Sequence, residues 1–142
     1  MTPQRVTLIT LGVADLAVSR AFYAALGWRA VEEQEGVSFY QMDGMALGLF
    51  GLSDLAKDQG RAGATLGTGA ITLAQNMADR AEVDAAWAQA LQAGATALKA
   101  PEAVFWGGYS GYYADPDGHV WELAHNPFWQ LDETGRLSIP TP

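Results

Sequence analysis

Hydrophobic and polar positions follow one order along the chain, and that order occurs twice. Two β-rich runs, 6–13 and 70–77, predict strands, and each leads to an aspartate that can cap a helix, Asp15 or Asp79. Glu82 completes a capping box with Asp79. The second helix is predicted because apolar residues then recur at helical spacing: Val83, Ala86, Trp87, Ala90 and Leu91.

Glycines and short turn motifs separate the predicted elements in the same way in both halves. Gly27 and Gly94 are expected to end the two helices. The stretch "ADPDGH" (114–119) predicts a tight turn, so 109–114 and 119–125 should be antiparallel neighbours. The duplication is visible in four aligned pairs: Asp15 with Asp79, Tyr23 with Trp87, Asp43 with Asp117, and Gly44 with Gly118.

These elements predict an α+β fold made of two βαβββ modules within a single domain, 1–142. Module one spans about 5–50, a linker about 51–68, module two about 69–126 and a C-terminal extension 127–142. The linker is glycine-rich and could contain a short helix. One helix covers only one face of its sheet, so the two open faces are expected to form a half-open barrel around a concave cavity.

Composition narrows the classes of function. The chain has 142 residues and a net charge of −8, which disfavours binding to nucleic acid or anionic lipid. Cysteine is absent, so disulfide and thiolate chemistry are excluded. No apolar run approaches the ~20 residues of a membrane helix, and no signal peptide is evident. We therefore expect a cytoplasmic protein.

Two motifs in this order carry a resemblance to a known family. "VADLAVSRAFYAALGW" (13–28), followed a module later by "YYADPDGHVWEL" (112–123), resembles the glyoxalase/bleomycin-resistance/dioxygenase superfamily, also called vicinal oxygen chelate proteins. The resemblance covers roughly residues 5–126. It implies paired βαβββ modules around a ligand site, often in homodimers.

The resemblance also implies where a metal would be held, on the first and last strands of each module. Those positions are Leu8, Gly48, Thr72 and Glu122, so only one strong donor remains. His119 and His125 are each three residues from Glu122 on the same predicted strand and should point to its opposite face. A catalytic metal needs at least three protein ligands. We therefore predict no metal and no cofactor, with Glu122 and His125 as ligands only in a metal-dependent alternative.

Strand alternation predicts what the cavity offers a ligand, because Trp121 and Leu123 should pack beneath a helix and Glu122 should then face the cavity. Small residues should face it, together with the polar side chains of Thr10, Thr72 and Asn76. The aromatic block after residue 104 predicts a stacking wall formed by Trp106, Tyr109 and Tyr113. Tyr112 or Tyr113 must instead face the helix and the core. Glu122 is the candidate general acid or base.

Three functions follow from these features. The leading one is metal-independent binding of a small organic molecule, with proton transfer at Glu122. The second is sequestration of a drug, as in bleomycin resistance, which requires no catalysis and suits a flat cation. The third is a metal-dependent lyase or dioxygenase. The expected partners are a small-molecule ligand and a second copy of the chain, but neither nucleic acid nor a membrane.

Overall fold

The same series of elements occurs in both halves of the chain. The computed structural model describes all residues, 1–142. The first half contains five elements of the repeated series and one short additional helix: β1 (Leu8–Val13), α1 (Leu16–Ala25), β2 (Glu32–Gln34), β3 (Val37–Gln41), β4 (Ala46–Gly51) and α2 (Leu52–Asp58). The second half contains β5 (Thr72–Asn76), α3 (Arg80–Gln92), β6 (Thr96–Ala103), β7 (Tyr109–Ala114) and β8 (Val120–His125).

The pairing of the strands shows that the duplication seen in the sequence is also present in the fold. The first sheet has the order β1-β4-β3-β2 and the second β5-β8-β7-β6. In each sheet the first and last strands of the series are parallel, and the other neighbours are antiparallel. The predicted α+β class with two βαβββ modules is confirmed. The chain divides into two compact units, Met1–Gly67 and Thr68–Pro142.

The predicted helix boundaries follow from local hydrogen bonds. The Asp15 carboxylate accepts from the backbone N–H of Ala17 at 3.0 Å, and that of Asp79 accepts from Glu82 N–H at 2.8 Å. The Glu82 carboxylate accepts in return from Ala78 N–H at 3.0 Å, which completes a box around the start of α3. Gly27 and Gly94, with φ of 92° and 103°, follow the last residues of α1 and α3. Both helix ends use a left-handed conformation that favours glycine.

The β7–β8 hairpin is closed by a buried aspartate in its turn. Ala114 pairs with Val120, so the predicted antiparallel pairing of the two strands is confirmed. The Asp115 carboxylate is buried and accepts from the backbone N–H groups of Asp117 and His119, each at 2.9 Å. Gly118 has a φ of 91°, as the Asp-Gly sequence predicted.

Each sheet buries one face beneath the long helix of its own unit. In the first unit the buried residues include Leu11, Val13, Phe22, Tyr23, Leu47 and Leu49. In the second unit, Val83 and Ala90 of α3 and the sheet residues Tyr113, Trp121 and Leu123 are buried. Trp121 and Leu123 were expected beneath a helix, and their burial confirms the alternation predicted for β8.

The segments outside the two modules contain little regular structure. The segment predicted as a linker, 51–68, starts at the last residue of β4 and contains α2. The rest of it, like residues 59–71 as a whole, has neither helix nor strand. The C-terminal segment 127–142 forms one isolated bridge, between Leu131 and Leu137. The Asp132 carboxylate closes the turn between them by accepting from Thr134 and Arg136.

Candidate functional site

One face of the second sheet has no helix of its own unit over it. Because α3 packs against the Trp121 and Leu123 face, the side chains of opposite parity lie on the other side of the sheet. Most of these side chains are small. The helix-free face of β5, β8 and β7 consists of Thr72, Ala74, Asn76, Val120, Glu122, Ala124, Ser110, Tyr112 and Ala114.

Glu122 and Tyr112 form the polar centre of this face. The two residues are directly opposite each other in the antiparallel pairing of β7 and β8, and the Tyr112 hydroxyl donates a hydrogen bond to the Glu122 carboxylate. Both side chains are half-buried. On the other side of Glu122, its partner in β5 is Ala74, whose methyl group leaves open space beside the carboxylate.

The environment keeps the Tyr112 hydroxyl protonated. Burial raises the pKa of Tyr112 most strongly, and the charge of Glu122 and its hydrogen bond raise it further. The ammonium group of Lys99 opposes part of this rise in the pKa. A neutral hydroxyl is therefore held beside a carboxylate, so the pair presents one hydrogen-bond donor and one proton acceptor on the same surface.

The structure does not bring Tyr109 and Tyr113 to this surface. They alternate with Tyr112 on β7 and pair with His125 and Trp121, so they lie on the opposite, helix-covered face. Tyr113 is only 1% exposed and belongs to the core. The predicted stacking wall therefore does not include Tyr109 or Tyr113, because period-two alternation directs odd and even residues of β7 to opposite faces.

Tyr109 is instead tied to the helix of its unit. Its hydroxyl donates to the Asp84 carboxylate at 2.7 Å, and the guanidinium group of Arg80 lies 5.0 Å from the centre of its ring. The hydrogen bond to Asp84 is the main reason why the pKa of Tyr109 is raised. These contacts account for the Tyr109 side chain by packing and hydrogen bonding alone.

Trp106 lies in the β6–β7 turn and is exposed. Its indole covers Gly108, where any side chain would overlap the ring. The neighbouring Gly107 has a φ of 100°, and a Cβ there would lie 3.2 Å from the Phe128 ring. The turn therefore meets the start of the C-terminal segment through aromatic contacts. Phe105 and Phe128 are exposed beside it.

The predicted polar residues Thr72 and Asn76 lie on the helix-free face with Glu122. Thr72 is exposed and Asn76 is half-buried at the end of β5. Asn76 also borders a groove of about 560 Å³ between the strand ends and the C-terminal segment. The other side chains along this groove include Glu82, His125, Trp129 and Glu133. Sequence patterns contained no sign of the groove, because residues 129–135 reach it without forming a helix or strand.

His125 ends β8 away from Glu122. Its Nδ1 lies 3.1 Å from the carbonyl oxygen of Met77, which can only accept a hydrogen bond. Nδ1 therefore carries the proton in this contact, and the ring is oriented by the backbone. Because Glu122 and His125 have opposite parity, the structure does not unite them as the metal-dependent alternative requires.

The first unit places Thr10 at the equivalent position of its own sheet, on the face opposite Leu11 and Val13, and α2 covers part of that face at Gly12. Thr10 pairs with Gly48, which in turn pairs with Phe39. A Cβ on Gly48 would lie 3.2 Å from the Phe39 ring and 3.4 Å from the Thr10 hydroxyl oxygen. An aromatic ring therefore occupies the space in which a side chain at position 48 would begin.

The residues present do not fit a divalent catalytic metal. Leu8 and Gly48 have no donor atoms in their side chains, and Thr72 offers only a neutral hydroxyl. The Phe39 ring beside Gly48 adds a steric obstacle in the first unit. Nowhere in the chain do three or more His, Cys, Asp or Glu side chains form a group that could hold a metal ion.

Tyr112 is the functional candidate that the sequence analysis did not select. A signal for it existed, because the turn at 115–118 aligns Ala114 with Val120 and therefore Tyr112 with Glu122.

The chain contains no helix that could span a membrane.

Comparisons with known proteins agree with this architecture. The chain is 36% identical to a glyoxalase-related enzyme from Fulvimarina pelagi, with 98% of this chain and 100% of that chain covered and a TM-score of 0.91. A lactoylglutathione lyase from Agrobacterium tumefaciens shares the fold at 23% identity, with 90% and 98% covered and a TM-score of 0.69. A glyoxalase/bleomycin resistance protein/dioxygenase family enzyme from Burkholderia phytofirmans PsJN does so at 20% identity, with 84% and 96% covered and a TM-score of 0.74.

A comparison with curated proteins gives no match. The family model of the glyoxalase/bleomycin resistance protein/dioxygenase superfamily, however, matches residues 5–123, which include module one, module two as far as Leu123, and the Glu122–Tyr112 pair. The chain belongs to the glyoxalase/bleomycin resistance protein/dioxygenase superfamily.

Proposed function

We propose that the protein binds a small organic molecule on the helix-free face of the second sheet and transfers a proton through Glu122 without a metal. One observation carries this proposal: a half-buried carboxylate with a neutral tyrosine hydroxyl as its partner, surrounded by small side chains. A positioned carboxylate can accept a proton from carbon, and a positioned hydroxyl can stabilise the oxygen on which charge develops.

The reaction that suits this pair is proton abstraction next to a carbonyl group. Glu122 takes the proton, the C–H electrons form a carbon–carbon double bond, and the carbonyl electrons move onto oxygen. The Tyr112 hydroxyl, released from Glu122, donates a hydrogen bond to that oxygen. Return of a proton to carbon regenerates the carbonyl compound, so no oxidant or reductant is required.

The test is deuterium incorporation from D2O into enolisable carbonyl compounds, followed by NMR with protein purified in the presence of a chelator. Glu122→Gln should slow the exchange by at least about 100-fold, because the amide cannot accept the proton. Glu35→Gln, which changes an exposed carboxylate in the other unit, is the matched control and should leave the rate unchanged. Wild-type exchange no faster than that of buffer would end the proposal.

Drug sequestration is the second candidate, favoured by the exposed rings around the β6–β7 turn. Phe105 and Trp106 are exposed in this turn, Phe128 is exposed beside Gly107, and the chain carries a net charge of −8. A flat cation could stack on these rings and be held by the acidic surface.

Calorimetric titration with proflavine should show binding that Trp106→Ala weakens about 10-fold and that salt weakens further. Binding that is unaffected by either change would contradict this candidate.

Two further expectations concern assembly and location. The family resemblance implies a homodimer, which light scattering of the purified chain tests directly. A cytoplasmic location agrees with the absence of cysteine. Both stay predictions.

A further inference from the structure

A lysine stands in line with Glu122 and Tyr112 across the second sheet. Lys99 of β6 is opposite Tyr112 of β7, which is opposite Glu122 of β8. The pairing shifts register on both sides of Lys99, but its Nζ lies 3.0 Å from the carboxylate of Glu102, which is opposite Ser110 on the helix-free face. The three side chains therefore form a row in the order ammonium, hydroxyl and carboxylate.

The charge of Lys99 acts at the Tyr112 hydroxyl. The ammonium group lowers the pKa of Tyr112 against the larger upward effects of burial and Glu122. This electrostatic effect supports the register, because both place the end of the lysine side chain near the hydroxyl. The hydroxyl thus lies between a positive and a negative group.

The present partner of Lys99 is weakly held. Its Nζ lies 3.0 Å from the Glu102 carboxylate, three residues along the same strand, and the two side chains are 48% and 58% exposed. Exposed ion pairs of this kind contribute little to stability, because water and salt screen the two charges. A ligand carboxylate can therefore share or replace Glu102 at little cost.

We propose that Lys99 is a specificity-determining residue that binds the carboxylate of the substrate, and that the substrates are 2-oxo acids with a hydrogen on the carbon next to the ketone. In such a molecule the C–H group, the ketone oxygen and the carboxylate follow one another along the chain. Glu122, Tyr112 and Lys99 present a base, a donor and a cation in that same order. The inference rests on the proposed proton transfer at Glu122.

Lys99 has two effects in this arrangement. Its ammonium group orients the substrate by an ionic hydrogen bond, and its charge favours the enolate oxygen beside Tyr112. Glu122 takes the proton from carbon 3, the double bond forms between carbons 2 and 3, and the ketone electrons move to oxygen. Reprotonation at carbon 3 returns the 2-oxo acid with the hydrogen exchanged.

Phenylpyruvate and its methyl ester test the role of Lys99, because they differ in the negative charge of the carboxylate. We expect Lys99→Met to lower kcat/KM for deuterium exchange into phenylpyruvate by about 10- to 100-fold, the usual effect of losing a hydrogen bond to a charged group. Exchange into the ester should change by less than about twofold. Glu102→Gln is the matched control, since it removes the ion-pair partner but keeps the ammonium group, and it should not lower either rate.

The outcomes separate this inference from the proposed function. If Glu122→Gln abolishes exchange but Lys99→Met changes neither probe, or changes both equally, Lys99 does not select carboxylates and only the inference is overturned. If wild-type protein accelerates exchange into other enolisable carbonyl compounds but into neither probe, only the 2-oxo acid inference is overturned. If Glu122→Gln retains the activity, the proton-transfer function itself is overturned and the inference with it.

Discussion

Tyr113 makes the stability of the protein sensitive to alkaline pH. Its ring and hydroxyl are 1% exposed, and burial raises its pKa far above the ordinary value near 10, with a further rise from the charge of Asp115. The unfolded chain loses this proton from about pH 10 upward, while the folded chain keeps it. The stabilisation is therefore fully present below pH 10 and is lost as pH rises towards the folded pKa.

We expect Tyr113→Phe to remove this alkaline dependence. Between pH 9.5 and 11.5 the free energy of unfolding of the wild type should fall by about 2 kcal/mol more than that of the variant, because only the wild type has the ionisable group at this position. Urea denaturation at a series of pH values measures the difference. Parallel curves for the two proteins would show that Tyr113 ionises as easily in the folded state as in the unfolded state.

The sequence predicted which face of the sheet some side chains lie on, but not others. The alternation of apolar residues around Glu122 predicted correctly that Trp121 and Leu123 are buried. The same rule, applied to β7, separates Tyr112 from Tyr109 and Tyr113, but the sequence "YSGYY" has aromatic rings on both faces. Hydrophobicity alone therefore could not choose between the faces, and only pairing with β8 did so.

At the scale of elements, Gly111 permits the close approach of β6 and β7. A Cβ at this position would lie 2.8 Å from the backbone nitrogen of Pro101 and 2.9 Å from the carbonyl oxygen of Lys99. The pairing of the two strands is irregular at this point, with shifts of register on either side of Lys99. Backbone atoms cannot rotate away as a side chain does, so position 111 requires glycine.

Gly111→Ala should lower the free energy of unfolding by about 2 kcal/mol, because the strands must move apart to admit the methyl group. Gly67→Ala is the control, since a Cβ there has no atom within 4 Å and its φ is not positive. That variant should be as stable as the wild type within about 0.5 kcal/mol. Equal effects of the two substitutions in urea denaturation would refute the steric explanation.

The helices and the β7–β8 hairpin were predictable because their signals are local. The hydrogen bonds that start the helices join Asp15, Asp79 and Glu82 to residues no more than four positions away. The helix ends depend on the φ angles of Gly27 and Gly94 themselves. The irregular pairing of β6 with β7 was not predictable, since it depends on which residue of one strand meets Pro101 on the other. Such register is a property of two segments rather than of one.

At the scale of the whole molecule, the exposed segment between the two units should be the first site of cleavage. Residues 59–71 contain no helix or strand, and Arg61 is exposed with hydrogen bonds only to residues within five positions of it. Exposed segments of this kind open locally at little cost. Of the other lysines and arginines between 20 and 99, only Arg29 lies away from a helix or strand, in the short connection between α1 and β2, which is less than half as long as the segment 59–71.

Limited digestion with trypsin should therefore divide the chain first after Arg61, giving fragments 1–61 and 62–142 by mass spectrometry. Arg61→Gln should remove these products and slow the loss of intact chain, while trimming near Arg5 or Arg136 continues. Initial cleavage at Arg20, Arg80 or Lys99 would instead show that one of the modules opens more readily than the segment between them.

The sequence was sufficient to predict the duplicated order of elements, the helix ends and the β7–β8 turn, because these depend on short-range periodicity, capping and turn chemistry, and two motifs in that order carried the family resemblance. It also placed Glu122 on the face opposite Trp121 and showed that the donors of a metal site are lacking at Leu8 and Gly48. The groups around Glu122, in contrast, became known only from the folded chain. The partnership with Tyr112, the alignment of Lys99 and the ring of Phe39 over Gly48 all arise from pairing between strands, and strand register joins residues that no local pattern connects.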